Sequence, residues 1–185
     1  MKAKSAHAPK ISEKAVKAKT GRTWAEWFKI LDAAGARKLA HPEIATYLSD
    51  QHKVPGWWCQ MVTVTYEQAR GLRQAHEKPG GFEISVSRTL AVPVATAFEA
   101  WEDTKSRRRW LDDAGYTVRK ATRNKTMRIT WVEGKTSLDV YFNSKGEGKC
   151  QVVAQHSKLK DAKQADRMKK YWGEQLDRLR QLLEG

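Results

Sequence analysis

A cluster of cationic side chains is the clearest functional pattern in the sequence. Nine of them fall within residues 105–128, where only Asp112 and Asp113 carry negative charge. Arginine binds phosphate oxygens through paired hydrogen bonds, and the interleaved Trp110 and Tyr116 could stack on bases. The cluster therefore indicates binding of nucleic acid or another polyanion. Its members are Lys105, Arg107, Arg108, Arg109, Arg119, Lys120, Arg123, Lys125 and Arg128.

Two other interpretations of these cations stay open. They would suit contact with an acidic partner protein equally well, and surface lysines and arginines often serve only to keep a protein soluble. Side chains alternate along a strand, so we expect Val118 and Lys120 on one face of a strand over residues 116–122 and Arg119 on the other. On that pattern the charges need not form one surface.

The sequence lacks the residue spacings that are typical of catalytic sites. No HExxH, GxSxG, P-loop or GxGxxG pattern occurs. Adjacent Asp112 and Asp113 indicate a turn rather than a paired acid and base. We therefore predict no enzymatic activity, no catalytic residue, no metal and no cofactor. The histidines are scattered, and the last is expected to be a solvated or hydrogen-bonded surface residue more often than a ligand contact: His7, His41, His52, His76 and His156.

Cysteine usage and hydropathy limit the cellular setting. Cys59 and Cys150 are far apart and belong to no CxxC or Cys/His spacing, which argues against a disulfide framework or a zinc site. The basic N-terminus lacks the apolar segment of a signal peptide, and no apolar run reaches the length of a membrane span. We expect a soluble cytoplasmic protein. The sequence does not indicate its oligomeric state.

Charge is distributed unevenly along the chain. Residues 1–19 hold six Lys and one Glu, residues 20–80 hold eight basic and six acidic residues, and residues 81–185 hold 21 basic and 14 acidic residues, for a net charge of +14. The first segment has too little apolar surface to offset the entropy of ordering. We predict that it is a disordered basic arm.

Helical periodicity follows the arm, with patterns that begin at Trp24, Pro42 and Trp57. The spacing from Thr23 to Glu26 predicts a capping box for the first helix. A helix-turn-helix that reads DNA with its third helix is an alternative, but that helix begins with aromatic residues, so we favour packing in a core. Its candidate base-reading residues are Gln60, Gln68 and Arg70.

From residue 82 the hydrophobic period changes to that of strands. Short connectors predict antiparallel pairing of five strands, over residues 82–90, 116–122, 126–133, 137–143 and 149–157. Two short helices are expected over residues 94–111, and a long amphipathic helix over residues 161–183 is expected to cross the sheet. The predicted fold is α+β. Its predicted segments are a disordered arm (1–19), a three-helix module (20–76), a linker (77–81) and an antiparallel sheet with a long C-terminal helix (82–185).

Both folded segments resemble known families. The motifs TGRTWAEW at 20–27, LDAAGA at 31–36 and GWWCQMVTV at 56–64 resemble a small bacterial domain of unknown function. Residues 82–184 resemble the START-like (SRPBCC) helix-grip superfamily, and within it the branch named after the activator of heat-shock protein 90 ATPase. That likeness rests on VPV before AFEAW at 97–101, on Trp110 and Leu111, and on QHSKL at 155–159 followed by the long helix.

The SRPBCC resemblance implies a cleft between the long helix and the sheet that binds a small hydrophobic ligand. Such aromatic residues equally fill a core, and the five predicted strands are fewer than the superfamily commonly has, which argues for a smaller cavity. The family name alone suggests a co-chaperone as a further alternative. The residues expected to line the cleft are Phe98, Trp101, Trp110, Trp131, Tyr141 and Trp172.

Overall fold

The computed structural model describes residues 11–112, 115–131 and 136–185. These residues form two compact units, which divide between Ala75 and His76. Unit 1 is the part before this boundary and unit 2 the part after it. Each unit has a separate hydrophobic core.

Unit 1 is helical. Thr23 and Glu26 form the predicted capping box, in which the Thr23 amide donates to Glu26 Oε2 at 2.7 Å. The three predicted helices are confirmed, and a further helix precedes them. The elements are α1 (Glu13–Thr20), α2 (Trp24–Ala33), a 3-10 turn (Ala36–Lys38), α3 (His41–His52) and α4 (Gly56–Ala69).

Helix α1 corrects the prediction of a disordered arm over residues 1–19. Ser12 caps the helix, and Val16 is fully buried in the core of unit 1. The Trp27 indole donates to Thr20 Oγ1 at 2.8 Å, so the end of α1 is attached to α2. The apolar surface that this segment lacks is supplied by the tryptophans of α2. Residues 1–10 of the predicted arm lie outside the described residues.

Unit 2 contains a six-stranded antiparallel sheet in the order β1-β2-β6-β5-β4-β3. The five predicted strands are confirmed, and the sixth is a two-residue strand too short to show a period. The strands are β1 (Glu77–Lys78), β2 (Gly81–Leu90), β3 (Thr117–Thr122), β4 (Thr126–Trp131), β5 (Thr136–Ser144) and β6 (Cys150–Leu159). The helices are α5 (Val94–Glu102), α6 (Thr104–Arg107) and α7 (Ala162–Glu184).

The predicted linker at residues 77–81 is instead a tight hairpin. Glu77 pairs with Phe82 and Lys78 with Gly81. Gly81 has φ +131°, and a Cβ at this position would lie 2.7 Å from the Leu159 carbonyl oxygen. Glycine is therefore required here by conformation and by space, and it marks a close approach of two backbones rather than a flexible connection.

Helix α7 packs against the sheet as its sequence period predicts. Asp161 accepts a hydrogen bond from the Gln164 amide at 2.7 Å, and Trp172, at the middle of the helix, is fully buried. Arg88 on β2 forms two hydrogen bonds of 2.8 Å with Asp177 on α7. Among the described residues, no helix combines the length and apolar character needed to cross a membrane.

Candidate aromatic site in unit 2

Five of the six predicted cleft residues meet between the sheet and the helices. The rings of Trp101 and Trp172 stack with centroids 5.8 Å apart, Trp110 lies 4.8 Å from Trp101, and Trp131 lies 5.0 Å from Trp172. Phe98, Trp101, Trp110, Trp131 and Trp172 are all buried. In the described residues, the centre of the expected cleft is thus filled by these rings.

Tyr141 does not belong to this set. In β5, Leu138, Val140 and Phe142 are buried in the core of unit 2. Side chains of a strand alternate between its two faces, so Tyr141 lies on the opposite face of the sheet, in register with Thr126 of β4. The prediction that Tyr141 lines the cleft is wrong, because the alternation of side chains along β5 was not taken into account.

His156 is buried at the end of the aromatic cluster rather than lying at the surface. Its side chain is 1% exposed. Its Nδ1 accepts a hydrogen bond from the Trp172 indole at 3.1 Å, so the ring proton is on Nε2, which donates to Thr136 Oγ1 at 2.9 Å. Burial lowers the pKa of His156 to about 4, since no charge compensates for the lost hydration. The ring is therefore neutral at neutral pH.

Two tyrosines extend the cluster where it becomes partly exposed. The Tyr116 ring stacks on Trp131, with centroids 5.8 Å apart and planes inclined by 11°. Tyr171 approaches the same indole edge-on at 6.1 Å. Both tyrosines are half-buried. Neither was predicted to line the cleft, and Tyr116 was named only as a residue that could stack on bases. The sequence signal was present, because Tyr171 adjoins Trp172 in the helix that covers the sheet.

The Tyr171 hydroxyl is a buried polar group that has no hydrogen-bond partner among the described residues. Burial, together with the negative charge of Asp112, raises the pKa of Tyr171 to about 12. The phenol therefore keeps its proton and can donate a hydrogen bond. The Trp101 indole nitrogen is likewise buried without a described partner, whereas the Trp110 indole donates to the Ala100 carbonyl at 3.1 Å.

A small pocket of about 130 Å³ opens beside Tyr116. The Arg107 guanidinium lies 4.7 Å from the centroid of the Tyr116 ring and is held by hydrogen bonds to the carbonyl oxygens of Trp101 and Glu102. Asp112, which also borders the pocket, accepts a hydrogen bond from Arg178 at 2.6 Å. Asp113, the second residue of the predicted acidic turn, lies outside the described residues. The lining residues are Thr104, Arg107, Arg108, Leu111, Asp112, Gly115 and Tyr116.

The predicted cationic cluster is divided between two places. Lys105 and Arg107 are on α6, and Arg108 and Arg109 follow it. The others are on the hairpin of β3 and β4. Its turn carries Arg123 and Lys125, and its strands carry Arg119, Lys120 and Arg128.

A β-bulge between Val118 and Lys120 corrects the predicted faces of β3. Lys120 lies opposite Arg128, which is exposed, and Val118 lies opposite Ile129, which is buried. The extra residue of the bulge is Arg119, whose Nη2 reaches Ser137 Oγ at 3.3 Å. Val118 therefore points to the face of the sheet that α7 covers, called the helix-covered face. Lys120 points to the opposite face, called the open face, as does Arg128.

Two of the three candidate DNA-reading residues of unit 1 form hydrogen bonds within the unit. Gln60 Oε1 lies 2.8 Å from His41 Nε2, and Arg70 is bound by the carboxylate of Asp32. The pKa of Asp32 is held well below its usual range by this guanidinium. These contacts favour the packing interpretation of α4.

Comparison with known families assigns each unit a relative. Residues 112–184 match the family described as "Activator of Hsp90 ATPase homolog 1-like protein". Residues 13–68 match a "Domain of unknown function (DUF4287)". Both predicted resemblances are thereby confirmed. No curated protein matched the chain.

Solved structures share the fold of unit 2. Protein MLL2253 from Mesorhizobium loti is 15% identical, with 55% of this chain and 96% of that chain covered and a TM-score of 0.51. CalU16 from Micromonospora echinospora is 16% identical, with 57% and 80% covered and a TM-score of 0.50. The Aha1 dimer from Colwellia psychrerythraea is 15% identical, with 55% and 96% covered and a TM-score of 0.49. Unit 2 has the AHSA1-like SRPBCC fold.

Proposed function

We propose that unit 2 binds a small aromatic molecule that carries one hydrogen-bond acceptor. The observation that supports this most directly is the Tyr171 hydroxyl, which is buried beside Trp131 without a described partner. Buried polar groups are nearly always hydrogen-bonded, so an unpaired phenol at the exposed end of an aromatic cluster fits a missing acceptor. The faces of Tyr116 and Trp131 stack on each other, so the exposed edges of these rings would provide the apolar contact.

We place the ligand in the pocket beside Tyr116, which neither Tyr171 nor Trp131 lines, and the Tyr116 ring, stacked on Trp131, is the link between them. The size and charge of this pocket narrow the class of ligand. A volume of about 130 Å³ is close to that of cavities that hold a single benzene ring, at roughly 150 Å³. Arg107, stacked on Tyr116, brings positive charge to the pocket wall. A one-ring compound with a carboxylate or carbonyl group therefore matches the site better than a long-chain lipid.

We propose binding without catalysis at this site. His156 is the histidine nearest to the aromatic rings, 5.7 Å from Trp131 between ring centroids. Both of its nitrogens already have partners, in Trp172 and Thr136, so neither is available to move a proton to or from a ligand.

The proposal is tested by titrating benzoate into the full chain while tryptophan fluorescence is recorded. Saturable binding is expected, and Tyr171→Phe should weaken it about tenfold because one hydrogen bond to a charged acceptor is lost. Tyr141→Phe is the matched control, since it removes the same hydroxyl from the other face of the sheet, and it should leave the affinity unchanged. Benzene alone should bind more weakly than benzoate.

Two results would contradict this function. One is the absence of saturable binding of benzoate, benzamide and benzyl alcohol to a folded protein. The other is binding that Tyr171→Phe and Tyr141→Phe alter equally, because a site beside Trp131 requires different responses.

A second candidate function rests on the family match at residues 112–184. That family is described as resembling an activator of Hsp90 ATPase. As an alternative, we propose that the chain stimulates the ATPase activity of a bacterial Hsp90, to be measured by an ATPase assay. Stimulation that saturates with the full chain would support this function, and an unchanged ATPase rate over the same range would refute it.

A further inference from the structure

Strand β3 forms one edge of the sheet in unit 2. It pairs with β4 on one side and has no strand on the other side in the described sheet. All of its residues, Thr117–Thr122, are exposed. An edge strand presents unpaired backbone N–H and C=O groups and can accept a further strand.

The two faces of this edge differ in chemistry. On the helix-covered face, Val118 is 41% exposed although it lies opposite buried Ile129, so an apolar side chain is only partly covered. On the open face, the bulge places Lys120 opposite Arg128 and adds Arg119 beside them. An added strand would meet apolar surface with every second side chain and positive charge with the others.

The positive charge of this hairpin exceeds the negative charge beside it, which comes from Asp139 of β5, the residue opposite Arg128. Residues 116–131 contain five cationic and no acidic side chains. None of the five forms an ion pair with a carboxylate of the described residues. Lys120 and Arg128 lie directly opposite each other, and like charges in that arrangement are destabilising. Acidic side chains of a bound partner would relieve this repulsion.

We propose that β3 is a docking edge for an extended peptide segment of a partner protein in which apolar and acidic residues alternate. The backbone of the segment pairs with β3, its apolar side chains contact Val118 and Ala121, and its acidic side chains contact Arg119 and Lys120. A second copy of this chain is disfavoured, because pairing two β3 edges would bring the same cations together.

The proposal is tested with a labelled, capped peptide of about eight residues in which valine and glutamate alternate, a length that matches a typical strand. Binding to the full chain is followed by fluorescence anisotropy. A peptide of the same composition in two blocks, and one in which lysine replaces glutamate, are expected not to bind. Bound alternating peptide should slow hydrogen exchange of the β3 amides.

Lys120→Glu is expected to weaken binding of the alternating peptide about tenfold, because attraction becomes repulsion. The variant should remain folded, since it places an acidic residue opposite Arg128. Arg109→Glu, with the same charge change after α6, is the matched control and should retain the affinity.

Equal affinity of wild type and Lys120→Glu, or equal binding of the block peptide, would overturn the proposal. Exchange of the β3 amides that is unchanged by bound peptide would also overturn it. So would Lys120-dependent binding of single-stranded oligo-dT without binding of the peptide, which would assign the cations to nucleic acid instead.

Discussion

At the scale of single residues, His156 makes unit 2 sensitive to acid. Its pKa falls from 6.5 in the unfolded chain to about 4 in the fold. Between these values the unfolded chain binds a proton that the folded chain does not, so stability falls as pH is lowered through this window. The difference between the two pKa values corresponds to a loss of at most about 3 kcal/mol in the free energy of unfolding. Urea denaturation at a series of pH values from neutral to acid measures this loss.

His156→Gln provides the control for this prediction. Glutamine has no charge to gain, and its amide can accept from the Trp172 indole and donate to Thr136. The variant should lose most of the pH dependence in this window while it remains folded. A slope of unfolding free energy against pH equal to that of the wild type would show that other groups cause it.

Tyr171→Phe is expected to stabilise the ligand-free protein. The substitution removes a buried hydroxyl that has no described partner and keeps the ring against Trp131. The gain should be about 1 kcal/mol, the usual desolvation cost of an unpaired polar group. Tyr141→Phe, on the opposite face of the sheet, should change the unfolding free energy by less than about 0.5 kcal/mol. A loss of stability in Tyr171→Phe would mean that the hydroxyl is bonded in solution.

At the scale of elements, the tight hairpin at β1 and β2 depends on one glycine. In Gly81→Ala, the alanine would have to adopt a φ of +131°, and its Cβ would lie 2.7 Å from the Leu159 carbonyl oxygen, so the strands must shift. We expect a loss of more than about 2 kcal/mol in thermal or urea unfolding. Gly80→Ala is the control. Its φ is +85° and no atom lies within 4 Å of the added Cβ, so only the conformational cost of about 1 kcal/mol applies.

The ion pair between β2 and α7 should be worth more than ion pairs within α7. Arg88 holds Asp177 through two hydrogen bonds of 2.8 Å, and the two side chains are 29% and 39% exposed. Because solvent screens the pair in part, Arg88→Gln should cost about 1 kcal/mol. Lys170→Gln breaks a 3.9 Å pair with Glu174 whose members are 83% and 56% exposed, and it should have no measurable effect on urea unfolding. Equal effects would show that α7 is not anchored through Arg88.

How well the elements were predicted depended on whether their period was visible. The repeat of apolar residues in α7 and the alternation in β5 predict their buried faces, and alternation with Val140 and Phe142 would also have placed Tyr141 correctly. The bulge at Arg119 was not predictable, because one added residue changes the face without changing composition. Helix α1 was missed because its Val16 is buried by residues from another helix.

At the scale of the molecule, sequence identified the aromatic residues of unit 2 but not their division between core and site. Trp101 and Trp172 stack on each other and fill the centre, while Trp131 reaches the exposed end. Burial of this kind is decided by contacts between segments far apart in the chain, such as Trp172 with His156. The position of Tyr116 at the candidate site was missed for the same reason, whereas Tyr171 could have been inferred from its place beside Trp172.

Each unit should fold without the other, because each has its own core. A fragment of residues 76–185 holds all six strands and α7, and it is expected to unfold cooperatively, with a melting temperature within a few degrees of one transition of the full chain. Circular dichroism and calorimetry measure this. A fragment of residues 11–75 has a smaller core and should melt earlier. If the 76–185 fragment showed helix and strand signals but no cooperative transition, its core would not suffice alone, and the two units would have to be treated as one cooperative structure.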